Sequence, residues 1–309
     1  MLAPSVERAV GPAHDFGIAA RDRYPSYIEF LAERTGIRVP LNRRGILQVA
    51  LNGKGIKGLK KTAPTTARWL DAKELRELEP ALAHAVGAMF NPDDGAVDNT
   101  MLLSALLKLV STSARVVTVK DAVIEVEPRE SSAKVRTRSG ATHSAHHIVF
   151  AAGAWVGRIS GARLGSAVKP SRGQLVSYST SPLSHVAYGP RGYVVPRADS
   201  TIGGTTMEDV GFDASTTSEG VEKVRSAAEE ICPSLSRSNA TRSWAGLRPV
   251  TPDMLPILGP DPEYPSLIYA CGHSRNGVLM APLTGDLIAD LVTATPLSLD
   301  LAQFRPGRF

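Results

Sequence analysis

Apolar side chains recur at helical spacing across His14–Gly36, where Ile28 and Leu31 share a face beside Phe30 and Gly36 reads as a stop. The run Gly45–Leu51 (GILQVAL) reads as a strand. Asp71-Ala-Lys-Glu74 spells a capping box that opens a short helix, which Pro80 ends. Beyond the turn-rich stretch Asn91–Gly95, Asn99 is expected to cap a helix running to about Leu109. Three strand-like runs follow, Arg115–Val119, Ala122–Glu127 and His147–Ala152, with a turn at Ser139-Gly140. From Gln174 to Thr206 short strands (QLVSYS, YVVPR, TIGGT) alternate with turn residues, as in an antiparallel sheet.

A helix over Ser218–Ile231 and a strand over Arg242–Arg248 come next. The last unit is strand Leu267–Cys271, a glycine-bounded loop (GHSRNG), and a helix to about Val292. Strand, glycine loop and helix units around a β-rich middle predict an α+β / α/β fold of two interleaved lobes. In that reading one lobe is built mainly from residues 1–160 and 240–309, with 37–90 partly in the other lobe. The second lobe comes mainly from 161–239.

The 309 residues are 43% apolar and 21% charged, enough for a substantial core and incompatible with wholesale disorder. Net charge is +5, but the basic clusters at Lys54–Lys61 and Arg34–Arg44 lack interleaved aromatics, so no nucleic-acid partner is expected. Cys232 and Cys271 form no framework, and the seven histidines make no ligand motif, so no metal is expected. No stretch approaches the roughly 18 uncharged apolar residues of a membrane span. The first residues lack the pattern of a secretion signal, which leads to the expectation of a cytoplasmic protein.

Three local patterns mimic other chemistries. Gly53-Lys-Gly55-Ile-Lys-Gly58 matches a dinucleotide fingerprint, but no apolar helix and second strand ending in an acid follow it. Gly272-His-Ser274-Arg-Asn276 nearly spells a nucleophile elbow, yet no histidine follows His273 to complete a triad. Asp93-Asp94 reads as a solvated turn.

The 272–277 loop admits two readings. It can cradle a planar, electron-rich ring, because the N–H groups of Gly277, Val278 and Leu279 are unpaired at a helix start and Arg275 adds positive potential. It can equally be an ordinary left-handed turn with an exposed arginine. Arg248, in the apolar run SWAGLRPVTPDMLPILG, needs an anion or a carbonyl fork. A bidentate carboxylate suits its planar donors, and Asp253 or Glu208 would serve as a structural partner.

Five ordered blocks, Asn91–Asn99, Val149–Gly157, Lys169–Val176, Tyr193–Asp213 and Trp244–Gly285, resemble the D-amino-acid oxidase superfamily of FAD-dependent amine oxidoreductases, and within it the glycine oxidases of thiamine biosynthesis. The resemblance implies a truncated FAD-binding lobe of the glutathione-reductase-like kind, interleaved with an antiparallel-sheet substrate lobe. It implies FAD as cofactor, held by Met1, Val123, Gly153, Trp155, Gly272, His273, Ser274, Arg275, Asn276, Gly277, Val278 and Leu279. Arg248 matches the arginine that clamps the substrate carboxylate, Tyr193 the tyrosine that assists it, and Arg275 joins them as a catalytic residue.

The implied reaction is oxidative deamination of glycine or a similar small amino acid. Hydride passes from Cα to flavin N5, and an imine that serves thiazole synthesis is released. Hydrogen peroxide forms when oxygen reoxidises the flavin. A D-amino-acid or sarcosine-type oxidase and a flavin-free remnant are the alternatives. In the family, residues like Met1–Pro4 follow a βαβ unit carrying GxGxxG; the sequence shows none, which leads to the expectation of a start codon placed too late. The expected partners are a small amino-acid substrate and, at most, further copies of the chain.

Overall fold

A computed structural model describes residues 1–7 and 11–309. The chain begins with helices α1 (Pro4–Glu7) and α2 (Pro12–Thr35), the latter ended by Gly36 in the left-handed conformation at φ 71°. Strands β1 (Leu41–Asn42) and β2 (Ile46–Ala50), helix α3 (Gly53–Lys61), β3 (Arg68–Asp71) and α4 (Ala72–Leu78) follow. Then come β4 (Gly87–Asn91), β5 (Ala96–Val97) and α5 (Asn99–Thr112). The middle of the chain gives β6 (Val123–Pro128), β7 (Ala133–Thr137), β8 (Thr142–Ala145), β9 (Ile148–Phe150) and β10 (Lys169–Tyr178). β11 (Val186–Tyr188), β12 (Tyr193–Pro196), β13 (Thr201–Gly204), α6 (Ser218–Ile231) and β14 (Ala240–Val250) precede the closing β15 (Ile257–Pro260), β16 (Leu267–Cys271) and α7 (Gly277–Thr293).

The architecture is mixed α+β. An eight-stranded sheet runs in the order β14-β10-β13-β12-β11-β2-β4-β3, with the long β10–β14 pair antiparallel and β11 parallel to β2. One core cluster lies on this sheet under α4 and α6, using Leu47, Leu75, Val176, Val224 and Ile231. A second joins α2, α5 and α7 through Phe16, Leu31, Leu102, Leu283 and Leu287. A small sheet, β15-β16-β9, with β9 parallel to β16, leads into α7. Strand β16, whose Leu267, Tyr269 and Cys271 belong to a third cluster, leads through the 272–276 loop into α7.

Local sequence accounts for most boundaries. Asp71 accepts from the Lys73 and Glu74 N–H groups while Glu74 returns to the Asp71 N–H, completing the expected capping box. The cap of α5 is Asp98 rather than Asn99: its carboxylate accepts from Thr100 and Met101 N–H at 2.9 and 3.0 Å. An Asp carboxylate beside the helix N-terminus also meets the dipole favourably.

Arg115–Val119 forms no strand, contrary to its pattern. No segment among the described residues pairs with it, and Val117 stands 88% exposed. A strand without a neighbour leaves its N–H and C=O groups to water, so propensity alone does not hold it. Asp94 likewise departs from expectation. It is buried, accepting from the Ser5 N–H and hydroxyl and from Arg21 Nη1, and so ties α1 to the turn before β5.

Pro282 lies inside α7, where its ring leaves the carbonyl four residues earlier without an intrahelical donor. That carbonyl belongs to Val278, and the Tyr24 hydroxyl from α2 donates to it.

Candidate functional site

A cavity of about 280 Å³ opens between the edge of the large sheet and the start of α7, and its wall includes Met1, Glu7, Tyr193, Thr206, Arg248, Arg275 and Asn276. Arg248 comes from β14, where it faces Ser171 on β10. Its guanidinium leans along the pair and lies over Gly173, where an added Cβ would fall 2.2 Å from Nη1. Glycine is needed there for close approach, not for backbone conformation.

The loop after β13 fixes the Arg248 head. Nη1 donates to the Thr206 carbonyl at 3.1 Å and Nη2 to the Thr205 hydroxyl at 2.8 Å. The loop is itself held from below: Arg172 Nε and Nη1 lie 2.6 Å from Glu208 and 2.6 Å from Asp213, and Gln174 Nε2 donates to Glu208 at 2.9 Å. Neither structural partner considered for Arg248 reaches it, because Glu208 pairs with Arg172 and Asp253 with Arg308. Among the described residues Arg248 has no ion pair, although burial already pulls its pKa down. A half-buried guanidinium with donors directed at a cavity and no ion pair among the described residues, Glu7 acting on it only through space, is suited to receive a carboxylate.

Tyr193 on β12 sits opposite Gly204, packed so closely that a Cβ there would come 2.6 Å from the phenol oxygen. Its ring lies 6.1 Å from that of Tyr188. Burial raises the phenol pKa while Arg248 lowers it, which keeps Tyr193 a neutral hydroxyl donor near neutral pH.

Across the cavity Arg275 meets Glu7, with Nη2 2.5 Å from Oε2. The two charges form a close ion pair. Burial raises the Glu7 pKa, and Arg275 opposes that rise. Sequence reasoning missed Glu7, as well as Thr205, Thr206 and Gly173. Only the fold brings α1 against a loop 268 positions further along the chain.

The loop makes a left-handed turn at Ser274 and sets Arg275 at the cavity wall. Ser274 is held at φ 51° with its N–H on the Pro249 carbonyl at 2.8 Å, anchoring the loop to the strand that carries Arg248. Gly272, at φ 74°, accommodates Thr251, whose Cγ2 would be 2.6 Å from a Cβ. The His273 Nε2 lies 3.1 Å from the Thr284 hydroxyl, and burial drives the imidazole pKa down to about 4, so the ring is neutral.

Helix α7 has no side-chain cap, and its first intrahelical bond is Met280 N–H to Asn276 O at 2.9 Å. The N–H groups of Gly277, Val278 and Leu279 thus find no partner among the described residues. This donor set, next to Arg275 and the cavity, fits the electron-rich edge of a flavin ring. Gly153 stands at φ 53° with open space where a Cβ would be.

The other expected cofactor residues are more scattered. Of that set Met1, Arg275 and Asn276 line the cavity, whereas Val123, at the start of β6, and Trp155, half-exposed against Phe212, lie outside its wall, as do Gly153 and the rest of the loop. Among the described residues no glycine-rich strand-to-helix turn awaits a pyrophosphate. Gly53–Gly58 lies inside α3, with Asn52 capping the Gly55 N–H at 3.0 Å. The residues present therefore fit the ring end of the cofactor.

Comparison with known proteins gives consistent findings. Residues 2–291 match the family described as FAD dependent oxidoreductase (DAO). The chain is similar to a glycine oxidase from Geobacillus kaustophilus, with 33% identity over 95% of this chain and 81% of that protein. The crystal structure of a glycine oxidase from that organism superposes with a TM-score of 0.92, at 32% identity, covering 100% of this chain and 86% of the other. An iminodiacetate oxidase from Chelativorans superposes at 0.89, with 25% identity, 99% of this chain and 87% of that one. The bifunctional protein ThiO/ThiG of Synechocystis is 33% identical over 100% of this chain but only 47% of its own length; the chain spans about half of such relatives. No helix among the described residues is long and apolar enough to cross a membrane.

Proposed function

The chain belongs to the DAO family of FAD-dependent oxidoreductases, and from that premise we propose that it oxidises glycine, or a similarly small amino acid, to the corresponding imino acid. When bound, FAD supplies the hydride acceptor for the substrate Cα. The remaining roles fall to the protein's own side-chain and backbone groups and to solvent.

Arg248 takes the substrate carboxylate through Nη1 and Nη2, which Thr206 and Thr205 already orient. Tyr193 adds a neutral hydroxyl to the same carboxylate. Together they fix the carboxylate end, so the short reach of glycine decides where Cα lies; positioning of this kind removes much of an entropic barrier. The bare N–H groups of α7 would hold the electron-rich edge of the ring, Arg275, paired with Glu7, would add positive potential beside them, and His273 stays neutral. Gly272 and Ser274 set the loop in that orientation. The substrate amine gives up its proton to solvent before Cα–H cleavage, so no side-chain base is assigned.

Glycine is favoured by the cavity size and by the similarity to glycine oxidases. A role in thiazole supply is favoured by the similarity to ThiO/ThiG. A cytoplasmic enzyme fits both.

The single observation that carries the reading is Arg248 at the cavity wall, half-buried, doubly oriented and without an ion-pair partner among the described residues. The test is FAD-saturated protein with glycine in a peroxide-coupled assay. Arg248→Ala is expected to raise KM about a hundredfold, since losing one partner of a buried charge pair costs about 2–5 kcal/mol. Peroxide formation with unchanged KM in that variant removes Arg248 from the site.

A further inference from the structure

The cavity carries more charge than a small amino acid needs. Arg191 also borders it, but its Nε is committed to Glu230 at 2.7 Å. Arg248 is free for one carboxylate. Arg275 is a second guanidinium on the cavity wall, and among the described residues Glu7 is its ion-pair partner. The Glu7 side chain is only 10% exposed, while that of Arg275 is 47% exposed. The pair is made through the single Nη2–Oε2 contact given for it, short of the two-pronged pairing a guanidinium can offer. Glu7 has little freedom to leave, because Ser5 on the same short helix is tied by its N–H and hydroxyl to Asp94. The cavity thus presents one open carboxylate site and one filled by the protein itself.

We propose that Glu7 is a specificity-determining residue: by occupying Arg275 it restricts the cavity to amino acids with a single carboxylate, and without it Arg275 becomes the site for a second carboxylate, as in iminodiacetate or other N-carboxymethyl amino acids. This rests on the reading of Arg248 as the first carboxylate site. Burial raises the Glu7 pKa, and Arg275 works against that rise. The reaction is unchanged: the amino acid still loses hydride to FAD and a proton to solvent, and only the recognised group on nitrogen differs.

The test measures binding as well as turnover. FAD-saturated wild type, Glu7→Gln and Glu7→Gln/Arg275→Gln are titrated by calorimetry with methoxyacetate, a monocarboxylate, and with diglycolate, a dicarboxylate that cannot be oxidised. The substitution Glu7→Gln keeps size and shape. The affinity ratio of diglycolate to methoxyacetate should rise about tenfold or more in Glu7→Gln, the gain of one charged hydrogen-bonded contact. It should fall back when Arg275 is also replaced, and kcat/KM for iminodiacetate relative to glycine should follow the same order. A ratio unmoved by Glu7→Gln, or moved equally in the double variant, overturns the assignment of Glu7 while leaving Arg248 in place. Methoxyacetate binding that is indifferent to Arg248→Ala overturns both readings.

Discussion

Adding one methyl group at Gly173 moves Arg248 without deleting it. A Cβ built on Gly173 lies 2.2, 2.3 and 2.4 Å from Nη1, Nη2 and Cζ of the guanidinium, distances that no real contact tolerates. The obstacle is the mobile end of a long side chain, whereas β10 and β14 are paired from Lys169 to Tyr178, so the guanidinium gives way and the strands stay. Arg248 then loses its bonds to the Thr206 carbonyl and the Thr205 hydroxyl. Each hydrogen bond to a charged group is worth about 1.5–3 kcal/mol, but the displaced head recovers part of that from water in the open cavity, leaving a folding cost of about 1 kcal/mol. Substrate recognition has no such recovery, because the donors no longer converge where the carboxylate lies. A loss of about 3 kcal/mol in transition-state binding lowers kcat/KM roughly a hundredfold.

The assay is steady-state glycine oxidation by FAD-saturated Gly173→Ala, paired with thermal melting. A fall in kcat/KM with a small melting shift is expected. Native kcat/KM, within about threefold, would show that the position of the Arg248 head does not govern catalysis. A collapse of folding would show that the strands yielded instead.

Other consequences follow from the same geometry. The His273 pKa, lowered by burial to about 4 from 6.5, means that the unfolded chain binds the extra proton between those values. That stability is fully present above pH 6.5 and is lost as pH falls toward 4, by about 3 kcal/mol in all; urea titrations of wild type and His273→Gln over this range should show a shallower pH slope in the variant. Tyr24→Phe strands the Val278 carbonyl that Pro282 leaves open, and should lower stability by about 1 kcal/mol in denaturant melts. Asp94→Ala releases Ser5 and Arg21 together and should cost about 3 kcal/mol, read as a lower melting temperature.

Features decided within a few residues were the legible ones. The Asp71–Glu74 capping box, the Gly36 stop and the β16–loop–α7 unit each rest on contacts between chain neighbours. Arg248 stood out because a charge among apolar and proline residues demands a partner, although the sequence left open whether that partner was Asp253, Glu208 or a ligand. Long-range pairing was not legible. Arg115–Val119 has the pattern of a strand and no neighbour to complete it. Asp94 looked like a solvated turn residue and is buried, because Ser5 and Arg21 arrive from helices far away in the chain. Glu7 carried no local signal at all; its role exists only once α1 is pinned beside Arg275.

The central claim is that one carboxylate is received between Arg248 and Tyr193, and a crystal structure of the FAD-saturated protein with methoxyacetate tests it most directly. The carboxylate should accept from Nη1 and Nη2 of Arg248 and from the Tyr193 hydroxyl, with the ether end directed at the α7 N-terminus. A carboxylate seated on Arg275 alone, with Arg248 still bonded only to Thr205 and Thr206, would contradict the account.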